Sequence, residues 1–173
     1  MFDINLSIDD INICSMESSD IVPAMEWLET EKRKGNLDEK HLNIKELKER
    51  FLESYLSEGE FFLKIIKEKE FVGMLKGRIE FKTSNEVWIG YYIIDEDMQK
   101  KGIDSILLKH LTNYFDKEFG IYSFFTVVSE DNLETKAFWN RNGFSLIRVA
   151  ENYFENDGQN INMLIFRKKQ NVY

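Results

Sequence analysis

The nine residues "EVWIGYYII" (Glu86–Ile94) form an almost unbroken apolar run. A run of that kind reads as a strand buried on both faces, and therefore central in its sheet. The next stretch, "DEDMQKKGIDSILLKHL" (Asp95–Leu111), changes the period. After Gly102, the residues Ile103, Ile106, Leu107, Leu111, Tyr114 and Phe115 fall on one face of a helix reaching to about Phe119. The stretch "YSFFTVV" then reads as another strand. A buried strand, a polar loop, an amphipathic helix and a second strand make a crossover, which demands a sheet with helices packed on it.

The flanking segments fit around this unit. Asp20, with Pro23 soon after it, is a candidate N-cap for a first helix running to about Lys34. Asn43 and Glu46 have the spacing of a capping box, followed by Ile44, Leu47, Phe51, Tyr55 and Leu56 on the buried side of a second helix. The segment "EFFLKIIKEKEFVGMLKGRIEF" predicts two strands joined by a charged turn near Glu68–Glu70. In the second of them Phe71, Leu75, Ile79 and Phe81 share one face, and Val72, Met74, Lys76, Arg78 and Glu80 the other. A short helix, "NLETKAFWNRN", ends at Gly143. "FSLIRV" and "INMLIFRK" are the last two strands, joined by a loop containing "NDGQ". The fold class is α/β (α+β), with a mixed, mostly antiparallel sheet of about seven strands flanked by about four helices.

The 173 residues, 43% hydrophobic, suit a single domain over 1–173. No apolar run reaches the roughly 18 residues that span a bilayer, and "MFDINLSIDD" lacks the basic start of a secretory signal. Cys14 is the only cysteine, so no internal disulfide forms, which fits a cytoplasmic location. Within "INIC" it reads as a small packed residue. A formal charge of −8 argues against a nucleic-acid surface. It suits a cationic small molecule or a basic peptide, and equally a surface that is simply well solvated. The two histidines, His41 and His110, and the cysteine show no metal-ligand spacing. Neither a nucleic acid, a membrane nor a metal is expected as partner, and a monomer and a homodimer both fit.

The chemistry concentrates at the start of the central helix. Amides at a helix N-terminus lack intrahelical partners and carry partial positive charge, so they bind phosphate oxygens. Gly102 permits a tight turn and a close backbone approach, and Lys100 and Lys101 add charge outside. The spacings of a Walker loop and of a dinucleotide fingerprint are both absent.

In "QKKGID", Gln99 and Gly102 match the Q/R-x-x-G-x-G/A phosphate motif of the GNAT superfamily of acetyl-CoA-dependent N-acetyltransferases. Asp104 departs from its final Gly/Ala. "NLETKAFWNRNGF" supplies Asn132, Trp139, Gly143 and Phe144 at the spacings of that family's later motif. The chain resembles this superfamily over essentially its whole length, most sharply from Val87 to Phe144. The resemblance implies acetyl-CoA as cosubstrate and a small-molecule or peptide amine as acceptor. It implies that the pyrophosphate lies on Gln99, Lys100, Lys101, Gly102, Ile103, Asp104 and Ser105. It implies that the pantetheine arm meets backbone groups around Tyr92, Ile93 and Ile94, with Asn132 facing the arm and Trp139 a packing residue or wall beside the thioester. The implied mechanism is direct attack by a neutral amine, with a backbone N–H near Ile93 polarising the carbonyl.

Many members of the superfamily place a tyrosine acid where this chain has Trp139, whose indole N–H is no useful acid. Candidate proton carriers are Tyr92, Glu86 and Asp131, with Tyr91, Asp95, Glu96 and Glu130 close by in sequence. Tyr91 and Tyr92 alternate across the strand, so one of them faces the cleft. The charged stretch "LETEKRKGNLDEKH" is a lid or a solvated connection. Asp104 and Trp139 also keep a second reading open, a catalytically silent GNAT fold that binds CoA or mediates association.

Overall fold

The computed structural model describes residues 3–34, 43–81, 85–156 and 159–170. Its elements follow in order: β1 (Asn5–Ile8), β2 (Ile11–Ser15), α1 (Ile21–Arg33), α2 (Ile44–Leu56), β3 (Glu60–Lys67), β4 (Glu70–Glu80), β5 (Glu86–Ile94), α3 (Glu96–Lys100), α4 (Ile103–Phe119), β6 (Ser123–Ser129), α5 (Leu133–Arg141), β7 (Ser145–Asn156) and β8 (Gln159–Lys169). The strands form one eight-stranded sheet in the order β1-β2-β3-β4-β5-β6-β8-β7. β5 and β6 are parallel, while β1–β2, β2–β3, β3–β4, β6–β8 and β7–β8 are antiparallel. The mixed sheet is as expected. The additional strand arises because Asp9, at φ 51°, turns "NLSIDDINIC" back on itself as a hairpin. The additional helix is α3, inside the loop that follows β5. Among the described residues no helix is long and apolar enough to cross a membrane.

The chain divides into two compact units, Met1–Arg78 with Tyr91–Leu111 and Ile79–Gly90 with Thr112–Tyr173. In the first, Ile21, Ala24, Met25 and Leu28 of α1 recur at helical spacing and pack with Leu47 and Phe51 of α2 on Phe62 and Met74. The capping box that opens α2 is present. Asn43 accepts from the Glu46 amide at 3.0 Å, and Glu46 accepts from the Asn43 amide at 2.9 Å. Leu47 and Phe51 are buried, but Tyr55 and Leu56 are exposed, which shortens the expected apolar side of α2 to its first half. Asp20 makes no cap hydrogen bond to α1. Its carboxylate instead accepts from the Glu17 amide and from Lys64 on β3 at 2.7 Å.

The β3–β4 hairpin turns at Glu68 and Lys69, both at positive φ, as expected from the charged tip. A bulge in β4 revises its faces. Ile65 pairs with Gly73 and Ile66 with Phe71, so Val72 is the extra residue. Phe71 therefore packs against the same core as Met74 instead of sharing a face with Leu75 and Ile79. Lys76 is only 8% exposed. Its ammonium meets Glu60 at 2.7 Å and Glu53 at 3.3 Å, while Arg50 meets Glu53 at 3.2 Å. The Arg50 hydrogen bond, opposed by desolvation and helped by Lys76, holds the Glu53 carboxyl below its usual value. Because its folded pKa is depressed, the stability Glu53 contributes is present above the unfolded value of about 4.3 and is lost as pH falls through the folded one. Glu53 is half exposed, so the contribution is small. Melting temperatures of Glu53→Gln should fall less steeply than those of the wild type on acidification below about pH 4.3.

The second unit centres on aromatic rings. Phe115 of α4 lies 6.4 Å from Phe124 of β6, and Trp139 of α5 lies edge-on to Phe144 at 4.7 Å. α5 ends as expected, with Gly143 at φ 83°. On α4, Leu107, Leu108, Leu111 and Phe115 are buried while Ile106 is exposed, so the buried stripe is rotated slightly from the one expected. His110 is exposed and not a packed residue. Leu28–Arg33 of the charged stretch "LETEKRKGNLDEKH" are the last turns of α1 and not a lid or loop, while its second half from residue 35 through His41, and Asp157–Gly158 of the "NDGQ" loop, lie outside the described residues.

Candidate functional site

The end of β5 and the start of α4 are held by a compact set of hydrogen bonds within the first unit. The Asp95 amide donates to the Val72 carbonyl at 2.8 Å. Gly73, beside Val72, sits so close to β5 that a Cβ there would come within 2.7 Å of both the Ile93 carbonyl oxygen and Ile94 Cδ1. Tyr91 and Ile93 lean on the α1–α2 core. Tyr92, on the opposite face of the strand, reaches α4, and its hydroxyl donates to the Asp104 carbonyl at 2.6 Å. Burial pushes the Tyr92 phenol well above its ordinary value, and the Asp104 carboxylate adds to the shift. The group stays protonated, as a donor tied to the helix backbone.

The loop between β5 and α4 is itself folded. Asp95 caps α3, its carboxylate accepting from the amides of Asp97 and Met98. The Gln99 side chain donates to the Ile94 carbonyl at 2.6 Å, stapling the loop to the strand end. Gly102 follows at φ 70°, a conformation that favours glycine, and a Cβ there would meet nothing within 4 Å. Lys100, Lys101 and Gly102 are exposed, and Ile103 and Ser105 are half-buried. Lys100 is paired with Glu96 at 2.8 Å. Asp104 is only 4% exposed, and its carboxylate accepts from the Ser105 amide at 2.7 Å. Gln99 with Ile94, and Tyr92 with Asp104 and Ser105, thus form two hydrogen-bonded sets that fix the strand end and the start of α4.

The remaining residues belong to the second unit. The β5–β6 ladder runs from Glu86↔Ser123 to Ile89↔Thr126. The buried Thr126 hydroxyl donates to the Ile89 carbonyl at 3.0 Å on its last rung. β5 itself continues past that rung to Ile94. Glu86 stands half-buried at the foot of β5. Asp131, exposed in the turn before α5, accepts from the Ser129 hydroxyl. Asn132 is the N-cap of α5, its side chain accepting from the Thr135 amide at 2.9 Å. Trp139 is 4% exposed and flanked by Phe138 and Phe144, which suits packing more than proton transfer.

Sequence reasoning missed α3, although an aspartate before "EDM" is a cap signal. It also missed the structural bonds of Gln99 and Thr126, for which no local signal exists. An exposed, left-handed glycine at the start of a long helix, with lysines beside it, suits a phosphate-bearing group approaching the backbone. Among the described residues no cluster of three or more His, Cys, Asp or Glu side chains could hold a metal.

The family profile described as acetyltransferase (GNAT) domain matches residues 13–165. No curated protein matches the chain by sequence. Solved structures share its fold. An acetyltransferase from Salmonella typhimurium that modifies the N-terminal serine of the 50S ribosomal subunit protein L7/L12 aligns with TM-score 0.79 and 20% identity, covering 95% of this chain and 97% of that one. RimL, a ribosomal L7/L12 α-N-protein acetyltransferase in complex with coenzyme A, aligns with TM-score 0.78 and 18% identity, covering 96% and 98%. The ribosomal-protein-S18-alanine N-acetyltransferase from Escherichia coli aligns with TM-score 0.69 and 18% identity, covering 94% and 99%.

Proposed function

The chain belongs to the GNAT acetyltransferase family, and on that premise we propose that it moves an acetyl group from acetyl-CoA to the α-amine of a peptide or protein. The observation that carries the cosubstrate assignment is Gly102, left-handed and open to approach at the head of α4. Three neighbours whose names state acetylation of ribosomal proteins support the acceptor class. A small-molecule amine is the other acceptor class the family accommodates. The family match reaches across both compact units, which supports a single GNAT-like domain over 1–173. A cytoplasmic location, as a monomer or homodimer, goes with this reading.

Acetyl-CoA supplies a thioester, whose C–S bond breaks as the acceptor nitrogen forms the new C–N bond and the thiol leaves. The chain's own groups bind and orient. The amides of Ile103 and Asp104 at the head of α4 hold the pyrophosphate, because those of Gln99, Lys101 and Gly102 donate to loop carbonyls and that of Ser105 to the Asp104 carboxylate, and Lys101 adds charge beside it. The edge of β5 at Tyr92–Ile94 offers backbone groups to the arm, and an amide there polarises the thioester carbonyl. The resemblance assigns Asn132 and Trp139 to the arm as well, although Asn132 caps α5 and Trp139 packs against Phe138 and Phe144. Asp131 is the candidate to take the proton of the acceptor ammonium, directly or through water, because Glu86 stands seven residues before Ile93, about 20 Å away along β5. The Tyr92 phenol, committed to the Asp104 carbonyl, braces α4 while it donates.

Acetyl-CoA at 100 times its dissociation constant should stabilise the protein by about 2.7 kcal/mol. Thiol release should be fastest with peptides bearing a free N-terminus, and slower with polyamines, aminoglycosides and free amino acids. A melting curve unmoved by millimolar acetyl-CoA would overturn the cosubstrate assignment. A clear thermal shift without thiol release from any acceptor would favour the silent CoA-binding module.

A further inference from the structure

We propose that Asp104 is an internal anion that competes with the pyrophosphate of CoA for the first turn of α4, and so sets a low cosubstrate affinity. The proposal rests on the acetyl-CoA reading and extends it to a residue that breaks the family motif. The amides of a helix's first turn are the donors a bound phosphate would use. One of them, that of Ser105, is already taken by the Asp104 carboxylate at 2.7 Å. That carboxylate is 4% exposed, so water screens it poorly. Its main chain is pinned as well, by the Tyr92 hydroxyl on the Asp104 carbonyl at 2.6 Å.

The surroundings compensate only in part, with the Lys34 ammonium 3.8 Å from the Asp95 carboxylate. Between Asp95 and Ser105 the chain carries four carboxylates (Asp95, Glu96, Asp97 and Asp104) against two lysines, Lys100 and Lys101. Lys100 is paired with Glu96 at 2.8 Å. An incoming pyrophosphate therefore meets a loop of net negative charge and a helix start that holds its own anion. In the free protein the same carboxylate complements the helix dipole. Asp104 thus favours the free state and disfavours the complex.

Calorimetric titration of CoA into the wild type, Asp104→Asn and Asp104→Ala, at low and high salt, tests this. Asp104→Ala should bind CoA a few-fold to about tenfold more tightly, at most about 1.4 kcal/mol. Asp104→Asn, which keeps an acceptor for the Ser105 amide but loses the charge, should gain less. Both gains should shrink only modestly at high salt, because a buried carboxylate is screened less than an exposed one. Acetyl-pantetheine, which lacks the pyrophosphate, should bind all three proteins equally. The ligand-free variants should melt about 1–4 °C lower than the wild type, opposite in sign to the affinity change. Unchanged or weaker CoA binding in both variants at both salts overturns the proposal while leaving the cosubstrate reading intact. An equal gain for acetyl-pantetheine overturns it too, because the effect would not lie at the pyrophosphate. No CoA binding by any of the three proteins overturns it together with the cosubstrate reading.

Discussion

Trp139→Ala should lose about 3–5 kcal/mol of stability, the usual range for emptying a buried indole site. Trp139 is 4% exposed, edge-on to Phe144 at 4.7 Å and to Phe138 at 5.1 Å. Its removal strips the apolar face of α5 of its largest side chain, and the two phenyl rings lose their shared partner. Scanning calorimetry should register a drop of about 6–20 °C. Trp139→Phe keeps a ring in place and should cost about 1–2 kcal/mol. Turnover should survive the second change, because an indole N–H releases no proton at working pH. A hundredfold fall in turnover for Trp139→Phe, with the fold and CoA affinity intact, would contradict a packing role.

Gly73→Ala should be the most damaging methyl addition near the β5 end. A Cβ at Gly73 would lie 2.7 Å from the Ile93 carbonyl oxygen, a backbone atom that cannot rotate aside. Relief requires β4 and β5 to move apart by several tenths of an ångström, at a cost of about 1–3 kcal/mol. Tyr92, Ile93 and Ile94 move with the strand, and they carry the backbone groups proposed to orient the thioester. Misplacement on the order of 1 Å at a reacting centre costs about a hundredfold in rate. Turnover per folded molecule should therefore fall, beyond the loss explained by a melting temperature about 2–12 °C lower. Full turnover and an unchanged melting temperature in Gly73→Ala would show that the strands have room to yield.

Most of this architecture is legible along the chain where the period is long and uniform. The apolar run of β5, the 17-residue amphipathic α4 and the Asn43–Glu46 box are of that kind. What escapes the sequence is what depends on distant partners or on a single irregular residue. The bulge at Val72 shifts Phe71 onto the Met74 face, and alternation alone cannot reveal an extra residue. Lys76 reads as a surface lysine until Glu53 of α2 and Glu60 of β3 arrive beside it. Asp20 has the composition of a cap, but Lys64, 44 residues away, claims its carboxylate. At the candidate site Gly102 is legible because a left-handed entry into α4 favours glycine. Gln99 and Asn132 match motif positions, yet each also serves the fold, one holding the Ile94 carbonyl and the other capping α5.

The tight turn at Glu68 and Lys69 also bears on the order in which the molecule assembles. β3 and β4 close over two residues, whereas β2 reaches β3, from Ser15↔Leu63 to Ile11↔Lys67, only after the chain of α1 and α2 has been gathered between them. Closing a short loop sacrifices less chain entropy than closing a long one, and isolated hairpins form within about 1–10 μs. The β3–β4 ribbon is therefore the inexpensive nucleus, and the β1–β2 hairpin is a late addition to its free edge. Substitutions in the ribbon should slow folding, and those in β1 and β2 should chiefly hasten unfolding.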